Sequence, residues 1–289
     1  MIIVRCMGGL GNQMFQYALG RRLSMHYGEA LRLDLSLYQG QALRKFELDH
    51  YAVKYRKATL CDLGRFMGLG ARGRILSAPW RLLDRGRCRV VRERFFHFDP
   101  TVLESGNHVL LEGYWQNPCY FAPIDGELRK ELAPTAALEE PEAALGARIA
   151  DANAVAIHVR GGDYLSDPSA SRALGACPPE YYRAALAYVR DRVQSPTFFV
   201  FSDDPARARS VLPADEQVTF VEGRIERRPW VDQYLMSRCR HQVIANSTFS
   251  WWAAWLNPFP EKIVVAPRQW FRTGMLDTRG LFPPSWVTL

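Results

Sequence analysis

A chain of 289 residues has room for one large domain or two of ordinary size, and 48% hydrophobic with 23% charged residues is globular composition. No apolar run reaches the roughly 20 residues needed to cross a bilayer, which excludes a membrane-spanning helix. The net charge of +7 rests almost wholly on arginine and suits a diphosphate-bearing ligand or an anionic membrane surface as well as a nucleic acid, so charge alone selects no partner.

Taken in order, the chain opens with a strand at Ile2-Arg5, then a helix over Asn12-Tyr27 in which Phe15, Leu19, Leu23 and Tyr27 recur at helical spacing and predict one buried face. Further strands are predicted at Leu31-Leu35, Val109-Tyr114, Val155-Arg160, Phe198-Ser202, Val218-Val221, Gln242-Ala245 and Ile263-Ala266. Helices are predicted at Pro179-Val193, Val231-Cys239 and Ser250-Leu256. Strands alternating with helices argue for an α/β protein whose parallel sheets carry helices on both faces. The Ala-, Glu- and Pro-rich stretch from Pro134 to Asp151 is the best boundary, giving lobes at 1–145 and 146–289 with the clearer alternation in the second. The first residues lack a basic n-region, an apolar core and a cleavage site, so the chain is expected in the cytoplasm. Six scattered cysteines with no CxxC pair predict reduced, mostly buried thiols rather than disulfides or zinc. Residues 65–94 hold nine arginines against Asp84 and Glu93. They read as a solvated helical face, or as a basic amphipathic surface for peripheral contact with the inner membrane.

Four segments carry chemistry. At Gln242-Val243-Ile244-Ala245 a buried strand runs into Asn246-Ser247-Thr248-Phe249-Ser250 and an apolar helix containing Trp251, Trp252 and Trp255. Helix N-terminal N–H groups plus hydroxyl and amide side chains make a phosphate site; a plain N-cap needs one such residue, and this loop supplies four of five. At Val155-Ala156-Ile157-His158-Val159-Arg160-Gly161-Gly162-Asp163-Tyr164, alternation puts His158 and Arg160 on one side of the pleat. Arg160 there is suited to a diphosphate, with an Arg160–Asp163 ion pair closing the turn as the structural alternative. The strand Phe198-Ser202 ends in Asp203 and Asp204, which could accept from a guanine or ribose, or start a turn before Pro205. Finally, Gly8-Gly9-Leu10-Gly11-Asn12-Gln13 begins like a dinucleotide fingerprint, but Met14 stands at the third glycine position and would spoil close helix packing. That disfavours a sugar-nucleotide oxidoreductase.

Together these segments resemble the α-1,2-fucosyltransferase family (glycosyltransferase family 11). The resemblance runs from Gly8-Gly9-Leu10-Gly11-Asn12-Gln13-Met14-Phe15-Gln16-Tyr17-Ala18 through His158-Val159-Arg160-Gly161-Gly162-Asp163-Tyr164 and Phe201-Ser202-Asp203-Asp204 to Ala245-Asn246-Ser247-Thr248-Phe249-Ser250-Trp251-Trp252-Ala253-Ala254-Trp255-Leu256. The family often has a second arginine where this chain has Gly161. The resemblance implies a GT-B-like fold with a Rossmann-like C-terminal donor lobe, and inverting transfer of L-fucose from GDP-fucose, without an obligatory metal or other cofactor. The acceptor it suggests is the 2-hydroxyl of a terminal β-galactoside, as in polysaccharide biosynthesis; no nucleic acid is implied. On that reading His158, Arg160, Ser202, Asp203, Asp204, Asn246, Ser247, Thr248, Phe249 and Ser250 bind the donor. Gly11, Asn12 and Gln13 serve the fucose or acceptor side, and Arg160 and Asp163 are catalytic, with Asp163 as the first choice of base. The rival reading is a non-catalytic glycan-binding protein on the same scaffold, with the tryptophans as a sugar platform; at their spacing they are expected in the core instead.

Overall fold

The computed structural model describes residues 1–40, 44–66, 88–161, 175–212, 218–221, 228–272 and 276–289. Its contacts divide the chain into two units, Met1–Thr135 with Thr278–Leu281, and Ala136–Asp277 with Phe282–Leu289.

In the first unit, Ile2, Ile3 and Val4 are all buried, because the strand Ile2–Arg5 (β1) is covered on both faces. It is central in a sheet with Leu31–Asp34 (β2), Arg56–Lys57 (β3), Arg89–Arg92 (β4) and Val109–Glu112 (β5). The order is β3-β2-β1-β5-β4 and every pairing is parallel. The outer strands β3 and β4 have no apolar run; pairing to a neighbour, rather than side-chain pattern, makes them strands.

The first helix runs Leu10–Tyr27 (α1) and is buried on nearly every side rather than along one face. A Cβ at Gly20 would stand 2.4 Å from Val4 Cγ2 and 2.8 Å from Leu31 Cδ1, so the helix lies this close to the sheet only because position 20 is glycine. The close packing that Met14 is expected to spoil is therefore supplied by Gly20. Away from the sheet, Phe15 packs on Phe121 at 6.0 Å between ring centroids, and Tyr17 reaches Glu131 of Asp125–Glu131 (α3). On the opposite face of β1, Leu63 of Leu60–Phe66 (α2) clusters with Met1, Ile3 and Leu110.

The second unit begins with Glu142–Asp151 (α4), then alternates Ala154–Val159 (β6), Pro179–Arg190 (α5), Thr197–Ser202 (β7), Pro205–Val211 (α6) and Val218–Phe220 (β8). It continues through Pro229–Arg238 (α7), His241–Val243 (β9), Thr248–Leu256 (α8), Val264–Ala266 (β10) and Val287–Thr288 (β11). The sheet order is β11-β10-β9-β6-β7-β8, again wholly parallel. One side of β6 (Val155, Ile157, Val159) packs with Tyr181, Tyr182, Ala185, Leu186 and Val189 of α5 and Ala208 and Val211 of α6. On the other side His158 of β6 lies beside Phe249 of α8, which packs with α7, as α7 does with α4. The tryptophans belong to that core: Trp251 and Trp252 are wholly buried, and Trp251 meets Trp286 at 5.4 Å. Burying a ring of roughly 200 Å² stabilises by about 5 kcal/mol, so these rings hold α8 in place rather than offering a sugar platform.

Candidate donor site at the carboxyl ends of the second sheet

Strand order locates the site. From β6 the chain moves outward to β7 and β8, then returns to the other flank of β6 as β9 and moves outward to β10 and β11. The direction reverses between β6 and β9, and in an open parallel sheet that reversal leaves a crevice beyond the carboxyl ends. The residues leaving β6 are Arg160 and Gly161; Ile244 to Ser250 leave β9; Asp203 and Asp204 leave β7. Three segments far apart in sequence are thus neighbours.

Arg160 does not stand alone there. Its Nη1 lies 2.6 Å from Oδ2 of Asp203, both side chains being less than one-fifth exposed, and Gly161 donates its N–H to Oδ1 of the same carboxylate at 2.9 Å. Asp203 therefore orients the strand end as well as the guanidinium. Asp204 is committed elsewhere: its side chain caps α6 by accepting from Arg207 N at 3.0 Å, and its backbone N–H donates to Ser202 Oγ, also at 3.0 Å. What the sequence offered as a turn before Pro205 is the start of a helix, with Pro205 in its first turn. Gly161 is held to glycine by this cap, since a Cβ would come within 2.7 Å of Asp204 Cβ and 3.0 Å of Arg207 Cδ.

His158 is 3% exposed and lies beside Phe249, with 5.5 Å between ring centroids. Its carbonyl accepts from Tyr182 Oη at 3.1 Å, and Tyr181 Oη donates to the carbonyls of Ile244 and Val265. The adjacent tyrosines of α5 thereby satisfy carbonyls at the ends of three strands and tie them together.

The loop after β9 divides into scaffold and surface. Asn246 is buried, and its amide donates to Gly175 O at 2.9 Å and Trp270 O at 3.2 Å while accepting from Cys177 Sγ at 3.4 Å. Ser250 is fully buried and turns its hydroxyl back to Ala245 O and Ser247 O. Asn246 and Ser250, expected as direct donor contacts, thus spend the side-chain bonds named here within the protein. Ser247, at the N-cap of α8, makes no side-chain cap bond, so its hydroxyl does not occupy the first N–H groups of the helix. Thr248 and Phe249 are half-buried at the same end. Burial pushes the Cys177 thiol up to about 11, with Asn246, Tyr182 and Arg207 pulling the other way.

In the first unit β1 lies between β2 and β5, and the chain reaches β5 from the outer strand β4. Its glycine loop enters α1 at Leu10, with Gly11 buried. Gly8 has φ +77°, and a Cβ there would sit 2.5 Å from Asn12 Nδ2. Gln13, expected to face a sugar hydroxyl, is wholly buried; it donates to Gly8 O and Lys45 O and accepts from Glu47 N. Asn12 is half-buried and accepts from Gln116 Nε2 at 3.0 Å. The strand expected to reach Tyr114 ends at Glu112, and the segment Gly113–Asn117 that follows carried no functional expectation. Glu93 accepts the N–H groups of Tyr114 at 2.7 Å and Trp115 at 2.9 Å, and Trp115 sits at φ +59°. Burial raises the Glu93 carboxyl despite those two bonds. A tryptophan held in the left-handed region marks a constrained loop, but side-chain type alone gave no sign of it.

Asp163 lies outside the described residues, as does 67–87 of the arginine-rich stretch. Among the described residues no group of three His, Cys, Asp or Glu side chains could hold a metal ion, and no helix is long and apolar enough to cross a membrane. Of the six cysteines Cys6, Cys177 and Cys239 are buried, Cys88 is half-buried, and Cys61 and Cys119 are exposed, against the expectation of mostly buried thiols.

Comparison with known proteins identifies the family and the fold. The family model described as glycosyl transferase family 11 matches residues 92–289. An alpha-1,2-colitosyltransferase of Escherichia coli is 32% identical over all of this chain and 98% of its own length. A galactoside 2-alpha-L-fucosyltransferase (Sec1) of Mus musculus is 27% identical over 99% of this chain and 73% of its own length. A crystal structure of NodZ alpha-1,6-fucosyltransferase co-crystallized with GDP superposes with TM-score 0.51 at 12% identity, covering 91% of this chain and 94% of that one. With its two helix-flanked parallel sheets, this chain has a GT-B-like α/β fold.

Proposed function

Because the chain belongs to glycosyltransferase family 11, and is on that ground a glycosyltransferase, we propose that it moves L-fucose from GDP-β-L-fucose to a glycan hydroxyl, the 2-hydroxyl of a terminal β-galactoside, with inversion. The acceptor oxygen forms a bond to C1 of the sugar, the bond from C1 to the phosphate oxygen breaks, and GDP leaves with the electron pair. The acceptor proton passes to a base, for which Asp163 is the candidate from its place three residues after Arg160. Charge grows on the diphosphate as the bond breaks, so fixed donors aimed there lower the barrier most. Arg160 and the N-terminus of α8 have that role in this proposal, with no obligatory metal.

The observation that carries the reading is the placement of Arg160 and the α8 N-terminus beyond the carboxyl ends of the paired strands β6 and β9, where strand order reverses. The names of the two relatives support a 1,2-linkage and leave two sugars to compare, fucose and colitose. The test is GDP release from GDP-fucose and GDP-colitose, with and without a β-galactoside such as lactose, in wild type and Arg160→Ala. Acceptor-dependent release from GDP-fucose, lost in the variant, is the expected result. Release from GDP-colitose alone would reassign the sugar, and failure to bind GDP at all would return the glycan-binding alternative.

A further inference from the structure

The donor site as described has a charge shortfall. A nucleoside diphosphate sugar brings two negative charges, and more build up as GDP departs. Arg160 is the cation at the end of β6, but its charge is already balanced by Asp203 at 2.6 Å. One further positive group is needed that has no carboxylate of its own.

Arg207 meets that description. It lies in the first turn of α6, where Asp204 holds its backbone N–H, and its side chain runs past the end of β6, with Cδ 3.0 Å from where a Cβ of Gly161 would be. Nη2 donates to a neutral acceptor, Cys177 O, at 3.1 Å. Nε is buried and meets no partner, and among the described residues no carboxylate pairs with the guanidinium. A half-buried guanidinium with one neutral contact and an unused N–H is costly unless a ligand completes it. Its planar fork suits two phosphate oxygens. The glycine at 161 leaves the room that this side chain occupies.

We propose that Arg207 is a binding residue for the donor's diphosphate, supplying the second positive charge beside the Arg160–Asp203 pair. This rests on the donor-site reading above. It also gives Gly161 a function: a larger residue there would displace the arginine from the strand end.

The experiment is calorimetric titration of GDP and of guanosine into wild type, Arg207→Gln, Arg207→Lys and Arg160→Ala, each checked by thermal melting. Loss of a charge-assisted contact predicts GDP binding weaker by about 10- to 100-fold in Arg207→Gln, with guanosine unchanged and most of the GDP affinity restored in Arg207→Lys. Salt dependence of GDP binding should flatten in Arg207→Gln and not in Arg207→Lys. If Arg207→Gln binds GDP as wild type does, or loses GDP and guanosine equally, the assignment is overturned. Should Arg160→Ala weaken GDP while Arg207→Gln does not, this proposal alone fails; no GDP binding by wild type sinks the donor-site reading itself. If Arg207→Gln does not fold, Arg207→Lys decides: a charge-conserving variant that melts normally yet loses GDP as completely as Arg160→Ala rules out a role for charge.

Discussion

Asp203 holds two things at once: Oδ2 lies 2.6 Å from Nη1 of Arg160, and Oδ1 accepts the N–H of Gly161 at 2.9 Å. The arginine is therefore aimed by a carboxylate from the neighbouring strand, and donor binding should depend on a residue that need not touch the donor. Asp203→Asn keeps one oxygen for Gly161 but removes the ionic partner. Its kcat/KM for the donor should fall about tenfold with little change in melting temperature, measured by GDP release.

Gly161→Ala tests the crowding at the same corner. The added Cβ would stand 2.7 Å from Asp204 Cβ, so the α6 cap must shift. Overpacking of this kind costs about 1–3 kcal/mol, which a urea melt would read, and GDP affinity should fall with it.

Asn246 should behave as scaffold. Replacing it by alanine leaves the carbonyls of Gly175 and Trp270 without their buried donor and should destabilise the unit by about 2–4 kcal/mol. A stable Asn246→Ala protein with abolished GDP binding would instead show direct contact.

Glu131 couples stability to acid. Burial pushes its carboxyl up, but bonds from Arg21 and Tyr17 and the charges of Arg21 and Lys54 outweigh that and hold it below the ordinary range. A carboxylate lowered in the folded state stabilises fully above its unfolded pKa, roughly 4.3, and loses that contribution as pH falls through the lower folded value. Glu131→Gln should cost about 3 kcal/mol at neutral pH and show a flatter decline in melting temperature at acid pH than wild type.

Thiol labelling gives a simple check of the burial pattern. Under native conditions Cys61 and Cys119 should react with a maleimide, while Cys6, Cys177 and Cys239 should require denaturant. Burial also raises the thiols of Cys6 and Cys239, which suppresses the reactive thiolate further.

Much of the fold is written in local pattern. Val155 to Val159 is apolar apart from His158 because β6 is covered on both faces, and Phe198 to Phe201 is apolar throughout for the same reason. The turns that follow them are polar because they lie at carboxyl ends. Such periods depend on near neighbours, so they can be read without knowing the partners. Short edge strands such as β3, and the helix capped by Asp204, leave weaker traces: the first is defined by pairing, the second by one hydrogen bond.

The amino-acid sequence by itself determined the α/β alternation, the polar strand ends and the family resemblance, since each rests on residues close together in the chain. Only the tertiary structure decided which side chains remain available at those ends. It gave Asp203 to Arg160, turned Asn246 and Gln13 inward to hold loops, and left Arg207 without a carboxylate among the described residues. The reason is physical: a polar residue has the same donors and acceptors wherever it stands, and whether they serve the fold or a ligand is settled by which distant groups the packed strands bring within about 3 Å.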